Sequence, residues 1–329
     1  MIVDNRIKMR AMKYTVVASS VLMIIKFSAY FITHSNAILT DALESIINVI
    51  AGAFALYSLY IASKPADLEH PYGHGKVEFF SAGFEGGLIL IAGLSIIIKS
   101  VYAFFYPTEV HSLDKGALIA GIAGLLNYFL GKTLVSIGKK HQSILMIADG
   151  KHLISDTVSS IGMIVGLLIV YFTGWMWLDN VIAIVFGGFI LFTGYKLLKQ
   201  SVTDLLDEAD FEKLNELTKV LNENRHINWI DIHNLRVIKY GSQLHIDSHI
   251  TLPWFMNLQE VHKEVAAVEA LLKKYLGNDT ELFIHSDPCL PDSCSLCAIN
   301  DCPQRKNNFI SRPQWTLDNM LPNEKHRLD

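Results

Sequence analysis

Ala148-Asp149-Gly150-Lys151-His152-Leu153-Ile154-Ser155-Asp156 opens a run, continuing from Thr157 to Thr173, that is apolar enough to lie in lipid. Asp149, His152 and Asp156 stand at i, i+3 and i+7, so a helix carries carboxylate, imidazole and carboxylate on one face over about two turns. Ionisable groups inside a membrane span are costly and mark function by default. The pattern has an echo in Asp41-Ala42-Leu43-Glu44-Ser45-Ile46-Ile47-Asn48, again polar at i, i+3 and i+7 within an apolar run. Two facing helices can then close one site, with Glu44, Asn48, His152 and Asp156 as inward donors. Asp41 and Asp149 lie one turn toward the mouths, as groups that support ligands or carry protons. Imidazole nitrogen with carboxylate oxygen suits Zn²⁺, Fe²⁺, Co²⁺ or Mn²⁺ better than Cu⁺, which wants sulfur. A buried hydrogen-bond network tying two helices is the alternative, and the repetition of one spacing in two spans favours the site.

The 329 residues are 51% hydrophobic and 18% charged, and the excess of apolar residues sits in the first two-thirds. Runs of about 20 apolar residues fall at 14–33, 37–62, 79–105, 113–137, 144–173 and 178–198, and only helices or closed barrels satisfy their backbone in lipid. The expected fold is an α-helical membrane protein with six spans over 1–203, followed by a small cytoplasmic α+β domain over 204–288. Basic residues favour the cytoplasmic side. Arg6, Lys8, Arg10 and Lys13 precede span one, Lys64 and Lys76 follow span two, Lys139 and Lys140 follow span four, and Lys196 and Lys199 close span six. Both termini are therefore expected in the cytoplasm, with the chain integral to the membrane (the inner membrane if it is bacterial). No cleavable signal peptide is expected at the N-terminus. A net charge of −4 leaves no basic footprint for nucleic acid. Lys26 and Glu85 are also ionisable within spans, but neither belongs to a repeated spacing, which favours an interhelical pair or a snorkelling lysine.

From Asp204 the periodicity becomes that of a small αββαβ domain. Phe211–Asn224 and Leu258–Tyr275 read as helices; Trp229–Tyr240 and Gln243–Leu252 read as a hairpin, and Glu281–His285 as a third strand. His245, Asp247 and His249 alternate along one strand face. With His233, His262, His285 and Asp287 on neighbouring elements, they make a cytoplasmic metal site plausible. The loop after span two, Lys64-Pro65-Ala66-Asp67-Leu68-Glu69-His70-Pro71-Tyr72-Gly73-His74-Gly75-Lys76, places Asp67, His70 and His74 within eight residues, enough to hold a cation at the membrane surface. All four cysteines, Cys289, Cys294, Cys297 and Cys302, fall in a segment spanning 289–302. In a reducing cytoplasm that clustering favours metal ligation, by zinc or by an iron–sulfur cluster. Residues 303–329 are polar and poor in periodicity, and are expected to be a loosely ordered tail.

Over about residues 10–288 the chain resembles the cation diffusion facilitators, which are divalent-metal/proton antiporters. The resemblance rests on the six spans, the Asp149, His152 and Asp156 stripe, the loop ending His70-Pro71-Tyr72-Gly73-His74-Gly75-Lys76, and the domain ending Ile284-His285-Ser286-Asp287-Pro288. It implies a homodimer in membrane lipid that alternates access, with a transport site between spans two and five and protons as counter-ion. It further implies cytoplasmic ligands at His233, His249, His262, His285 and Asp287, and a charged pair, Lys76 with Asp207, that locks the dimer. Zinc is the leading metal, with Fe²⁺ and Mn²⁺ next. The family's second span usually offers His or Asp and then Asp four residues on, where this chain has Glu44 and Asn48. A membrane-anchored metal sensor is the competing class, and an anchor needs no carboxylates in its spans. An intramembrane metallohydrolase would want an activated water and a general base, and no HExxH motif is present, so the chain is not expected to be an enzyme.

Overall fold

A computed structural model describes residues 2–33, 36–105, 113–173, 177–241, 243–277 and 280–328. The chain forms two compact units, Met1–Leu206 and Asp207–Asp329. The first is six helices: α1 (Ile2–Thr33), α2 (Asn36–Ala62), α3 (Val77–Phe105), α4 (Leu113–Lys140), α5 (Ile144–Thr173) and α6 (Trp177–Leu205). Each expected span lies inside one of them. Counted on described residues, Asn5–Ser28, Val77–Phe105 and Asn180–Leu205 are long and apolar enough to cross a membrane. Ile24, Ile50, Ile91, Ile98, Phe129, Val185 and Phe192 are exposed on these helices, an outward apolar surface that lipid, not water, would cover.

The helices sort into pairs, since α1 packs most extensively with α2, α3 with α6, and α4 with α5. Glycine makes two of these seams close. A Cβ at Gly86 would stand 2.8 Å from Leu198 N, and one at Gly93, two turns on, 2.8 Å from Leu191 N. Between α4 and α5, a Cβ at Gly150 would stand 2.7 Å from the Gly131 carbonyl oxygen. Small residues let helix backbones approach where no hydrophobic effect drives them together. The N-terminal basic cluster is not wholly a solvent-facing flank, because α1 begins at Ile2 and takes Lys8 inside. Lys8 is buried with its Nζ 3.4 Å from Glu78 Oε1, and the Ser143 hydroxyl donates to the other oxygen of Glu78.

The second unit runs α7 (Phe211–Glu223), β1 (Asp231–Tyr240), β2 (Gln243–Leu252), α8 (Leu258–Leu276) and β3 (Glu281–Pro288), the expected αββαβ order. The sheet order is β1-β2-β3, with β1 and β2 antiparallel and β2 and β3 parallel. Helix α7 starts where the Asp210 carboxylate accepts from Lys213 N, and α8 starts on a capping box between Asn257 and Glu260. Along β2, Leu244, Ile246 and Ile250 enter the core with Leu217, Leu221, Val268 and Leu272. The alternation of a strand therefore turns His245, Asp247 and His249 to the other face.

The C-terminal segment differs from expectation. After a 3₁₀ turn (Pro291–Ser295), the chain returns across the domain to a short helix, α9 (Leu317–Met320). Trp315, 1% exposed, and Met320, fully buried, belong to the same core as α7 and the sheet. The Trp315 backbone exchanges hydrogen bonds with the Asn222 amide at 2.7 and 3.0 Å, and the Arg225 guanidinium lies 3.9 Å over the indole. Two apolar anchors in a proline-rich, polar segment produce no period, so the packing was not legible from pattern.

Candidate metal-binding sites

In the helical unit, α2 and α5 bring three of the four expected donors together. Asn48 Nδ2 donates to Asp156 Oδ2 at 2.5 Å, and His152 Nε2 lies 3.0 Å from Asn48 Oδ1. Asp149 is buried one turn before His152 on α5. Asp41 and Glu44 stand on α2, and their side chains lie outside the described residues. Glu85, read from the sequence as a structural group, instead approaches the site from α3. It is 0% exposed, and its Oε2 lies 3.7 Å from His152 Nδ1. A lone carboxylate in an apolar run carries no spacing that would have pointed to His152.

The loop donors converge. Asp67 Oδ1 is 3.2 Å from His70 Nδ1, Asp67 Oδ2 is 3.5 Å from His74 Nε2, and the two rings lie 4.4 Å apart. The turn is built by Asp67, whose Oδ1 accepts the backbone N–H of His70 at 2.7 Å and of Glu69 at 3.0 Å, and by Gly73 at φ +80°. The His70 backbone N–H, more than any other group, holds the Asp67 carboxyl below its usual range. The carboxylate is therefore ready as a ligand.

On the sheet face opposite the Leu244, Ile246 and Ile250 side chains, the register aligns three histidines in one row, with His233 buried at its end. His233 of β1 is opposite His249 of β2, which is opposite His285 of β3. Asp287 completes the group: its Oδ2 is 3.3 Å from His249 Nδ1 and 3.5 Å from His233 Nε2, and its Oδ1 is 3.5 Å from His285 Nε2. The donors of His233, His249 and Asp287 all lie within 4.8 Å of one another, as do those of Asp67, His70 and His74. Two expected histidines are placed elsewhere. His262 is exposed on α8 and is not among the donors that converge in the single chain. His245 pairs with Glu281 at 3.1 Å and packs on Tyr240.

Behind His233 stands Asp231, which sequence reading did not single out. Its Oδ2 is 3.1 Å from His233 Nδ1, and its Oδ1 is 3.0 Å from Nε2 of His326 in the C-terminal segment. Burial pushes the Asp231 carboxyl up, but hydrogen bonding from His233 and His326 outweighs it and holds the group at about 2. A carboxylate behind a ligating imidazole fixes its tautomer and orientation. A separation of 95 positions between Asp231 and His326 kept this relation out of any local motif.

The four cysteines are free thiols in one neighbourhood. Cys289, Cys294 and Cys302 line a pocket of about 250 Å³ with Trp254, and Cys297 is buried. Arg305 stitches the segment by donating to the carbonyls of Cys294, Cys297 and Ile299 at 3.1, 2.9 and 2.6 Å. Burial pushes the Cys289 thiol up, against a backbone hydrogen bond from Trp254, and the other three thiols add to the upward push. A metal here would displace thiol protons.

The helical unit and the sheet domain are each matched by a known family. The family described as "Cation efflux transmembrane domain" matches residues 12–206, and "Cation efflux protein, cytoplasmic domain" matches residues 209–289. The chain belongs to the cation diffusion facilitator family. An uncharacterized transporter of Synechocystis sp. is 34% identical over 265 residues, covering 79% of this chain and 84% of that protein. The cation-efflux pump FieF of Citrobacter koseri is 28% identical over 287 residues, 87% of this chain and 94% of the pump. An uncharacterized transporter of Methanocaldococcus jannaschii is 27% identical over 277 residues, 83% of this chain and 95% of that protein. This chain is accordingly an integral membrane protein of a family of cation-efflux transporters, and the segment from 290 onward lies beyond both matched regions.

Proposed function

We propose that this protein exports a divalent transition-metal cation from the cytoplasm in exchange for protons. The observation that carries the reading is the junction of α2 and α5, where an imidazole, an amide oxygen and a carboxylate meet inside the membrane unit. A histidine binds a metal only without its proton on the ligating nitrogen, so metal binding at His152 releases protons and proton binding releases metal. The donor set favours Zn²⁺, with Fe²⁺ and Mn²⁺ as alternatives in oxygen-rich coordination. Asn48 is a neutral oxygen donor where relatives are expected to present a carboxylate, and it sets this site apart. The sensor reading explains none of these donors within the membrane unit. The reading is tested in sealed proteoliposomes containing a pH-sensitive dye, by offering Zn²⁺, Fe²⁺, Mn²⁺, Co²⁺ and Cd²⁺ in turn. Metal uptake with proton movement in the opposite direction supports it; binding without flux defeats it.

The working unit is proposed to be a homodimer with both termini in the cytoplasm. Phe283 is exposed on the same strand face as His285, an arrangement that a second copy of the domain would cover. The Lys76 and Asp207 pairing belongs to that dimer proposal. The Asp67, His70 and His74 loop is proposed to take a cation at the membrane surface, and the four cysteines a thiolate-bound zinc or iron–sulfur cluster.

The histidine row is proposed as a regulatory metal receptor. It lies beyond the last span, so an ion passing between α2 and α5 need not visit it. Changing His249 and His285 to Ala together is expected to raise the metal concentration for half-maximal transport while leaving flux at saturating metal. Loss of flux at every concentration, in a variant shown to be dimeric, would place these residues on the transport path instead.

A further inference from the structure

Glu85 is a fully buried carboxylate that the α2–α5 site does not explain. Among the described residues neither of its oxygens has a hydrogen-bond partner. A carboxylate in such a place is expensive unless it meets a cation or a polarised N–H. Its position is not adjustable by a loose helix, because the next residue, Gly86, seats α3 directly against the backbone of α6. The group within reach is His152, whose Nδ1 is 3.7 Å from Glu85 Oε2; a shift of a few tenths of an ångström completes a hydrogen bond.

The consequence lies on the other side of the ring. A neutral imidazole has one N–H, and the partner of one nitrogen decides what the other offers. Asn48 is already oriented, because its Nδ2 donates to Asp156 and so turns Oδ1 toward His152 Nε2 at 3.0 Å. With the ring proton held at Nδ1 by Glu85, Nε2 and Asn48 Oδ1 present two lone pairs to each other beside Asp156. Two facing acceptors repel unless a cation stands between them.

Resting on the reading of this junction as the transport site, we propose that Glu85 is a positioning residue for the transported metal. Its oxygen holds His152 in the tautomer that ligates through Nε2. Carboxylate partners of this kind change metal affinity by about 10- to 100-fold when removed.

The experiment is a Zn²⁺ and Mn²⁺ uptake titration with the full-length protein in proteoliposomes, comparing wild type, Glu85→Gln, Glu85→Asp and Asp156→Ala. Glu85→Gln is expected to raise the half-saturating metal concentration about tenfold or more while maximal flux is retained, and Glu85→Asp is expected to recover most of the loss. An unchanged half-saturating concentration in Glu85→Gln overturns the proposal. So does an equal fall of maximal flux and thermal stability in both Glu85 variants, which would mark a packing role. In either case, loss of flux in Asp156→Ala leaves the transport site standing, whereas wild-type flux in Asp156→Ala removes the site and Glu85's role with it.

Discussion

Metal uptake by the Asp156→Ala variant is expected to fall to that of protein-free vesicles. Asp156 is the charged member of the described donor group at the α2–α5 junction, and its Oδ2 also orients the Asn48 amide through the 2.5 Å hydrogen bond. Alanine therefore removes a ligand, a charge and the orientation of a second ligand at once. The Asp156→Asn variant separates charge from shape, since it keeps the side-chain volume and a hydrogen-bonding oxygen. It is expected to remain folded, elute as the wild type does in detergent, and still fail to transport. Wild-type flux in either variant would show that the ion takes another route.

Trp315→Ala is expected to unfold or severely weaken the soluble unit. The indole is 1% exposed, stacked under Arg225 and packed into the core shared by α7 and the sheet. Tryptophan truncation in a core costs about 3–5 kcal/mol, a large part of the 5–15 kcal/mol that holds an ordinary domain together. The same change frees the segment carrying His326, so Asp231 loses a partner and His233 its support. Urea unfolding followed by circular dichroism is expected to show an earlier transition with the slope retained. Stability equal to wild type would mean that the segment after Cys302 rests on the domain without supporting it.

The reach of sequence reading follows the range over which each feature is encoded. Asp149, His152 and Asp156 were visible because a helix repeats every 3.6 residues, and the strand row because the side chains of a strand alternate. Asp67, His70 and His74 were visible because one turn holds them. Glu85 carried no such signal because a single residue has no period, and its approach to His152 arises only when α3 lies beside α5. Asp231 with His326, and Trp315 with Asn222, are pairings across the fold between segments of different composition. His262, which resemblance supplied, lies on an exposed helix face in the single chain, where no local period marks it.

The pairing of the six helices has a mechanical consequence. Asn48 belongs to the α1–α2 pair, Glu85 to α3–α6, and His152 with Asp156 to α4–α5. The glycine seams within α3–α6 and α4–α5 leave no slack, because backbone touches backbone and any internal slip meets a ridge. Shear would meet less resistance along the boundaries between pairs than across these seams. The donors sit on those boundaries like marks on three sliding rulers: a displacement of one pair by an ångström or two, the scale of helix shifts in switching proteins, brings the marks into line or takes them out of line. On the proposed transport reading, a cation of the right radius would act as the latch that registers alignment, and its release would need no helix to bend or unwind.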